Sequence, residues 1–87
     1  EILDERNRIR MIGTGITLEK EKQFGKFVSL IPYTNVVKGL TLTGFKYPLD
    51  HYDFKGFCSL GVSNEIIAES AEIAFEEGIL IVIEARD

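Results

Sequence analysis

The 87-residue chain predicts an all-β fold, a β-sandwich of short, mostly antiparallel strands. Three observations predict it. Apolar and polar residues alternate with period two in several short segments, as strands with one buried face require. Runs rich in β-branched residues, Lys26–Ile31 and Gly78–Ile83, supply strands of higher apolar content. Turn-forming residues separate these segments at close spacing.

In Arg8-Ile9-Arg10-Met11 and Ile16-Thr17-Leu18-Glu19 the alternation is plain, and Gly13-Thr14-Gly15 between them supplies a turn, so a hairpin is expected. Glu19-Lys20-Glu21-Lys22 alternates in sign and reads as a solvated turn. The strand Lys26–Ile31 stops at Pro32, whose missing N–H ends ladder pairing away from an edge. Pro32-Tyr33-Thr34-Asn35 is the connection that follows. Val36 through Thr43 forms another strand, with Gly39 marking a bulge or a close backbone approach. From Asn64 to Glu77 two signals compete. Ala, Glu and Ile favour a helix, and Ser63 or Asn64 would cap it. Against that, Ala71, Ile73 and Phe75 alternate with Glu72, Ala74 and Glu76, and Glu77-Gly78 suits a hairpin turn before the last strand. The alternation decides for strands.

Composition narrows the function classes. A chain of 87 residues is one small domain, able to bury somewhat more than about 60% of its unfolded surface. With 45% apolar and 28% charged residues it is an ordinary folding sequence. A net charge of -4 argues against nucleic acid, whose phosphates call for a basic stripe. The apolar runs fall far short of the roughly 20 residues that cross a bilayer, so no membrane span is expected. Cys58 is alone and forms no internal disulfide, and no targeting segment opens the chain; a cytoplasmic setting is expected.

Self-contained chemistry is hard to find. Gly39–Lys46 has the glycine spacing of a phosphate loop, but Phe45 stands where the lysine belongs and no Ser or Thr follows Lys46. Gly13-Thr14-Gly15 begins a dinucleotide fingerprint, yet Leu18 replaces its third glycine. Asp50-His51-Tyr52-Asp53 offers an imidazole and two carboxylates, but neighbouring strand residues point to opposite faces, so no metal site is expected. Cys58 reads as a structural residue. No catalytic residue is assigned.

An ordered set of short motifs is more telling. Gly44-Phe45-Lys46-Tyr47-Pro48-Leu49 is followed by Ser59-Leu60-Gly61-Val62-Ser63-Asn64-Glu65 and then by Glu77-Gly78-Ile79-Leu80-Ile81-Val82-Ile83. In this order the set resembles the end of a thiamine pyrophosphokinase, and the likeness extends upstream through Gly39–Leu42 to Asn7–Arg10. The resemblance implies a jelly-roll-like sandwich. It implies that residues 1–87 are a single C-terminal thiamine-binding domain, with the N-terminal α/β catalytic domain outside this chain. That family transfers pyrophosphate from ATP to thiamine, giving thiamine diphosphate and AMP, and holds ATP and Mg²⁺ mainly in the N-terminal domain. Asp4 and Glu5 do not form its catalytic acidic motif, so this domain alone should bind neither cofactor and should not catalyse.

Three residues match the thiamine-facing positions: Tyr47, Ser63 and Asn64. Family members carry Trp or Tyr at the first, where a ring can stack on the pyrimidine or cover the cationic thiazolium. Tyr47 reads equally as a sandwich-edge aromatic held extended by Pro48. Ser63 and the Asn64 amide suit an aminopyrimidine edge, or they form a turn through their own backbone. The role of Lys46 is open. The resemblance further implies a homodimer in which this domain completes the thiamine site against a partner's catalytic domain. The alternative is a β-sandwich assembly module without a ligand, with Tyr33, Tyr47, Tyr52 and Phe57 forming an apolar patch. A carbohydrate-binding sandwich, which also uses exposed aromatics, is a third reading.

Overall fold

The alternating segments become two packed sheets in the computed structural model, which describes residues 2–3, 5–55 and 63–86. Nine strands form among the described residues: β1 Ile2–Leu3, β2 Asn7–Ile12, β3 Ile16–Glu19, β4 Phe27–Pro32, β5 Val36–Thr43, β6 Leu49–Lys55, β7 Asn64–Glu65, β8 Ser70–Ala74 and β9 Leu80–Ala85. The larger sheet has the order β1-β2-β9-β4-β7 and the smaller β3-β8-β5-β6. Every pairing is antiparallel. From β2 onward only β5 and β6 are sequence neighbours within one sheet; every other connection passes between sheets. The fold is the all-β, jelly-roll-like sandwich expected.

The crossings correct two expected hairpins. Gly13-Thr14-Gly15 joins Ile12, opposite Leu80 in the larger sheet, to Ile16, opposite Ile73 in the smaller. Glu77-Gly78 likewise leads from β8 in one sheet to β9 in the other. After β8 the chain stays against β5, with Glu76 N–H donating to Lys38 O and Lys38 N–H donating to Glu77 O, both at 2.8 Å. Gly78 then turns with φ +115°, and a Cβ there would lie 2.7 Å from Val36 O. Alternation records which face of a strand is buried, not which strand lies beside it.

Asn64–Glu77 contains β7 and β8 and no helix, because Ala71 and Ile73 are buried while Glu72 between them is exposed. Pro32 closes β4, and Tyr33 restores the missing donor by giving its N–H to Ile79 O at 2.8 Å. Gly39 sits where the β5–β6 register shifts, at the expected bulge, and donates its N–H to Asp53 Oδ1 at 3.1 Å. The charge run is a single 3₁₀ turn, Lys20–Lys22, with no buried residue. Among the described residues no helix is long and apolar enough to cross a membrane.

The core lies between the sheets. Val28, Leu30, Leu80 and Val82 from the larger sheet meet Leu18, Val37, Leu42, Phe54 and Ile73 from the smaller. Each such side chain contributes about 1.5–3 kcal/mol on leaving water.

In β2 the expected period is present, but its phase is reversed. Arg8, Arg10 and Ile12 stand opposite Glu84, Val82 and Leu80 and so share their inward face, while Ile9 and Met11 face outward with Ile83 and Ile81. The outer face of the larger sheet is consequently rich in apolar side chains, carrying Ile9, Met11, Phe27, Ile31, Ile81 and Ile83 around Ser29, with Glu65 at the β7 edge. Phe57, Cys58 and the Ser59–Val62 part of the second motif lie outside the described residues, as does Asp4.

Candidate functional site

The Gly44–Pro48 connection between β5 and β6 is stitched to β7 rather than free. Lys46 N–H donates to Glu65 O at 2.8 Å and Ile67 N–H to Gly44 O at 2.9 Å. Phe45 and Ile66 form an isolated bridge and both are buried. Gly44 begins the connection at φ +78°, where a Cβ would lie 2.4 Å from Ser70 O; both the turn and the close approach require glycine. The apolar pair thus anchors the connection, leaving the next residues to point outward.

Tyr47 is 52% exposed. Its backbone is held by Asn64, which is only 2% exposed. Asn64 Oδ1 accepts the Tyr47 N–H at 2.9 Å and the Glu65 N–H at 3.0 Å, while Asn64 Nδ2 donates to Tyr47 O at 2.9 Å. Lys46 Nζ lies 5.5 Å from the centre of the Tyr47 ring and 3.9 Å from Glu65 Oε2. Ser63 is exposed, adopts φ +53° and donates its N–H to Ser29 Oγ at 2.9 Å. A serine in this left-handed region is uncommon and is held there by its surroundings.

The structure brings Tyr47 and Asn64 into direct contact, with Ser63 next to Asn64 in the chain. It gives the Asn64 amide a use the sequence did not suggest, bonding a residue 17 positions away. Ser29 was also missed. Its one signal was a polar residue between Val28 and Leu30 in an apolar strand.

Together these residues make an open wall: an exposed ring on a fixed backbone, and an exposed serine one position before the asparagine that fixes it. A groove of about 650 Å³ lies elsewhere, lined by residues that include Glu19, Ile67 and Glu69 but neither Tyr47 nor Ser63. Its lining carries no aromatic ring, so the wall rather than the groove is the better candidate for an aromatic ligand. His51 is exposed and bonded at 2.6 Å to the adjacent Asp50, and among the described residues no three His, Cys, Asp or Glu side chains gather to hold a metal.

The sequence pattern of the family described as thiamin pyrophosphokinase, vitamin B1 binding domain, matches residues 14–80, a span that includes Tyr47, Ser63 and Asn64. The chain belongs to this family. Thiamine pyrophosphokinase of Bacillus subtilis (strain 168) is 37% identical over 87 residues, 99% of this chain and 40% of that protein. The crystal structure of the Bacillus subtilis enzyme superposes with a TM-score of 0.89 at 36% identity over 98% of this chain. That of the thiamin pyrophosphokinase from Geobacillus thermodenitrificans gives 0.88 at 35% identity, also over 98%. The chain spans about 40% of the length of these relatives. It is a vitamin B1-binding domain, homologous to the C-terminal part of a thiamine pyrophosphokinase.

Proposed function

We propose that this domain forms the thiamine-facing wall of a thiamine pyrophosphokinase, with Tyr47, Ser63 and Asn64 as its site. Family membership supplies the ligand class, and one observation supports the location: Tyr47 is exposed at its ring and fixed at its backbone. An aromatic on a fixed backbone has less freedom to lose when it covers a flat cationic ring, a contact worth roughly 0.5–2 kcal/mol. The Ser63 hydroxyl offers a donor and an acceptor beside it. Asn64 takes part from beneath.

The chemistry itself needs groups beyond these. Transfer of a pyrophosphoryl group from ATP to the hydroxyethyl oxygen of thiamine, with AMP leaving, calls for Mg²⁺ held by carboxylates and phosphates. We assign those to an upstream α/β domain and place the parent enzyme in the cytoplasm, where ATP is supplied. The 87-residue chain alone is expected to bind thiamine weakly and to leave ATP intact. Titrating thiamine to millimolar concentration into ¹⁵N-labelled chain tests the site. Shifts centred on Tyr47 and Ser63–Asn64 are expected, and no response, or release of AMP by pure chain, would sink the proposal.

A second reading has its own support in the apolar outer face of the larger sheet. A largely apolar sheet face, with Glu65 opposite Phe27 at its β7 edge, suits packing against another, and we propose it as the contact through which the parent homodimer assembles. Of the aromatics first considered for an apolar patch, Tyr33 follows β4, Tyr47 lies in the β5–β6 connection and Tyr52 on β6, while Phe57 is outside the described residues. Sedimentation of the chain and of a Met11→Lys variant checks this: association by the native chain alone is expected, and equal behaviour would refute it.

A further inference from the structure

We infer that Asn64 is a positioning residue, which fixes the Tyr47 ring for its ligand by clamping the Tyr47 peptide groups; the role rests on the thiamine reading of the site. Asn64 Oδ1 and Nδ2 take both the N–H and the C=O of Tyr47, each at 2.9 Å. In an antiparallel ladder, a neighbouring residue exchanges these same two bonds. A side-chain amide therefore stands in for a strand where the β5–β6 connection has left the sheet.

The amide's orientation follows from its partners. Two N–H groups, of Tyr47 and Glu65, converge on one atom, which must be the oxygen; the Tyr47 carbonyl then meets the nitrogen. Burial of Asn64 keeps water from competing for these bonds. On the far side Pro48 restricts Tyr47 to extended backbone. With the backbone held from both sides, the direction of the Tyr47 Cα–Cβ bond is set, and only rotation of the side chain itself is left to be lost on binding. At neutral pH no other residue type offers a donor and an acceptor on separate atoms at this reach. Aspartate keeps the acceptor but sets a carboxylate oxygen against the Tyr47 carbonyl, until protonation supplies an O–H donor.

The test compares the native chain with Asn64→Ala and Asn64→Asp by NMR. In Asn64→Ala the core resonances should stay dispersed, Tyr47 should lose backbone order, and thiamine should bind roughly tenfold more weakly. In ligand-free Asn64→Asp, Tyr47 should be disordered at neutral pH and regain order as acid protonates the new carboxyl, with the native chain unchanged over the same range. That recovery separates a clamp from general support, and it decides the matter even where Asn64→Ala fails to fold. Equal thiamine affinity in Asn64→Ala and native chain, or Tyr47 order in Asn64→Asp indifferent to pH, overturns the role alone. A native chain that ignores thiamine removes the ligand reading, and this role falls with it.

Discussion

Two buried polar side chains, Asn64 and Glu84, lie in one row across the larger sheet. Glu84 stands opposite Val28, and Val28 stands opposite Asn64, so all three share the inner face. Adjacent strands are about 4.8 Å apart, which puts the two polar residues only about two strand widths from each other. They solve burial differently. Asn64 is neutral and spends its amide on the backbone of an adjoining connection. Glu84 presents two oxygens that receive Arg10 Nη2 at 2.8 Å and the Phe24 N–H at 3.4 Å. Arg86 secures Phe24 in turn, with its guanidinium 4.1 Å from the ring centre and Nε donating to Phe24 O at 3.0 Å. The comparison separates two uses of a buried polar group: one aims an exposed ring, the other ties the sheet to the loop that covers its end.

The largest effect is expected at Glu84. Glu84→Ala leaves the Arg10 guanidinium, itself 23% exposed, without its carboxylate, and should cost about 3 kcal/mol in denaturant unfolding. Tyr47 order should be unaffected. The double replacement Arg10→Met with Glu84→Leu should recover most of that loss, since well-packed apolar residues commonly match a buried ion pair; if it is as unstable as Glu84→Ala, the pair contributes more than the cost of its own desolvation. Asn64→Ala should cost about 1–2 kcal/mol by the same measurement, because two Tyr47 groups and the Glu65 N–H lose a partner. Here the loss of order at Tyr47 should accompany it. Tyr47→Ala should move stability by no more than about 0.5 kcal/mol while abolishing the local response to thiamine. The smallest change belongs to Lys46→Ala, whose exposed pair with Glu65 should be worth under about 0.5 kcal/mol in thermal unfolding.

Much of this fold could be read from the chain, because period two survives whatever the partners are. Ala71, Ile73 and the intervening Glu72 identified a strand against strong helical propensity, and Gly39 marked the bulge in β5. The phase of β2 could not be read: Arg8 and Arg10 turn inward because Glu84, more than 70 residues later, receives Arg10. Sheet membership was hidden for the same reason, since Ile12 and Ile16 find partners on different strands far along the chain. At the site, Tyr47 was picked out by its place before Pro48 in the first motif. That Asn64 would be occupied by its backbone depends on β7 meeting the β5–β6 connection, which no local pattern encodes.

The position of β9 carries one more consequence. It is the last strand in sequence, yet it lies between β2 and β4 near the middle of the larger sheet. A ribosome delivers β2 and β4 first, each with an unpaired edge, and the gap between them closes only when Leu80–Ala85 emerges. This domain should therefore complete folding late in its own synthesis and slowly for its size, since its pairings join distant segments. Until then, the open edges are where a nascent chain would be vulnerable to the wrong strand.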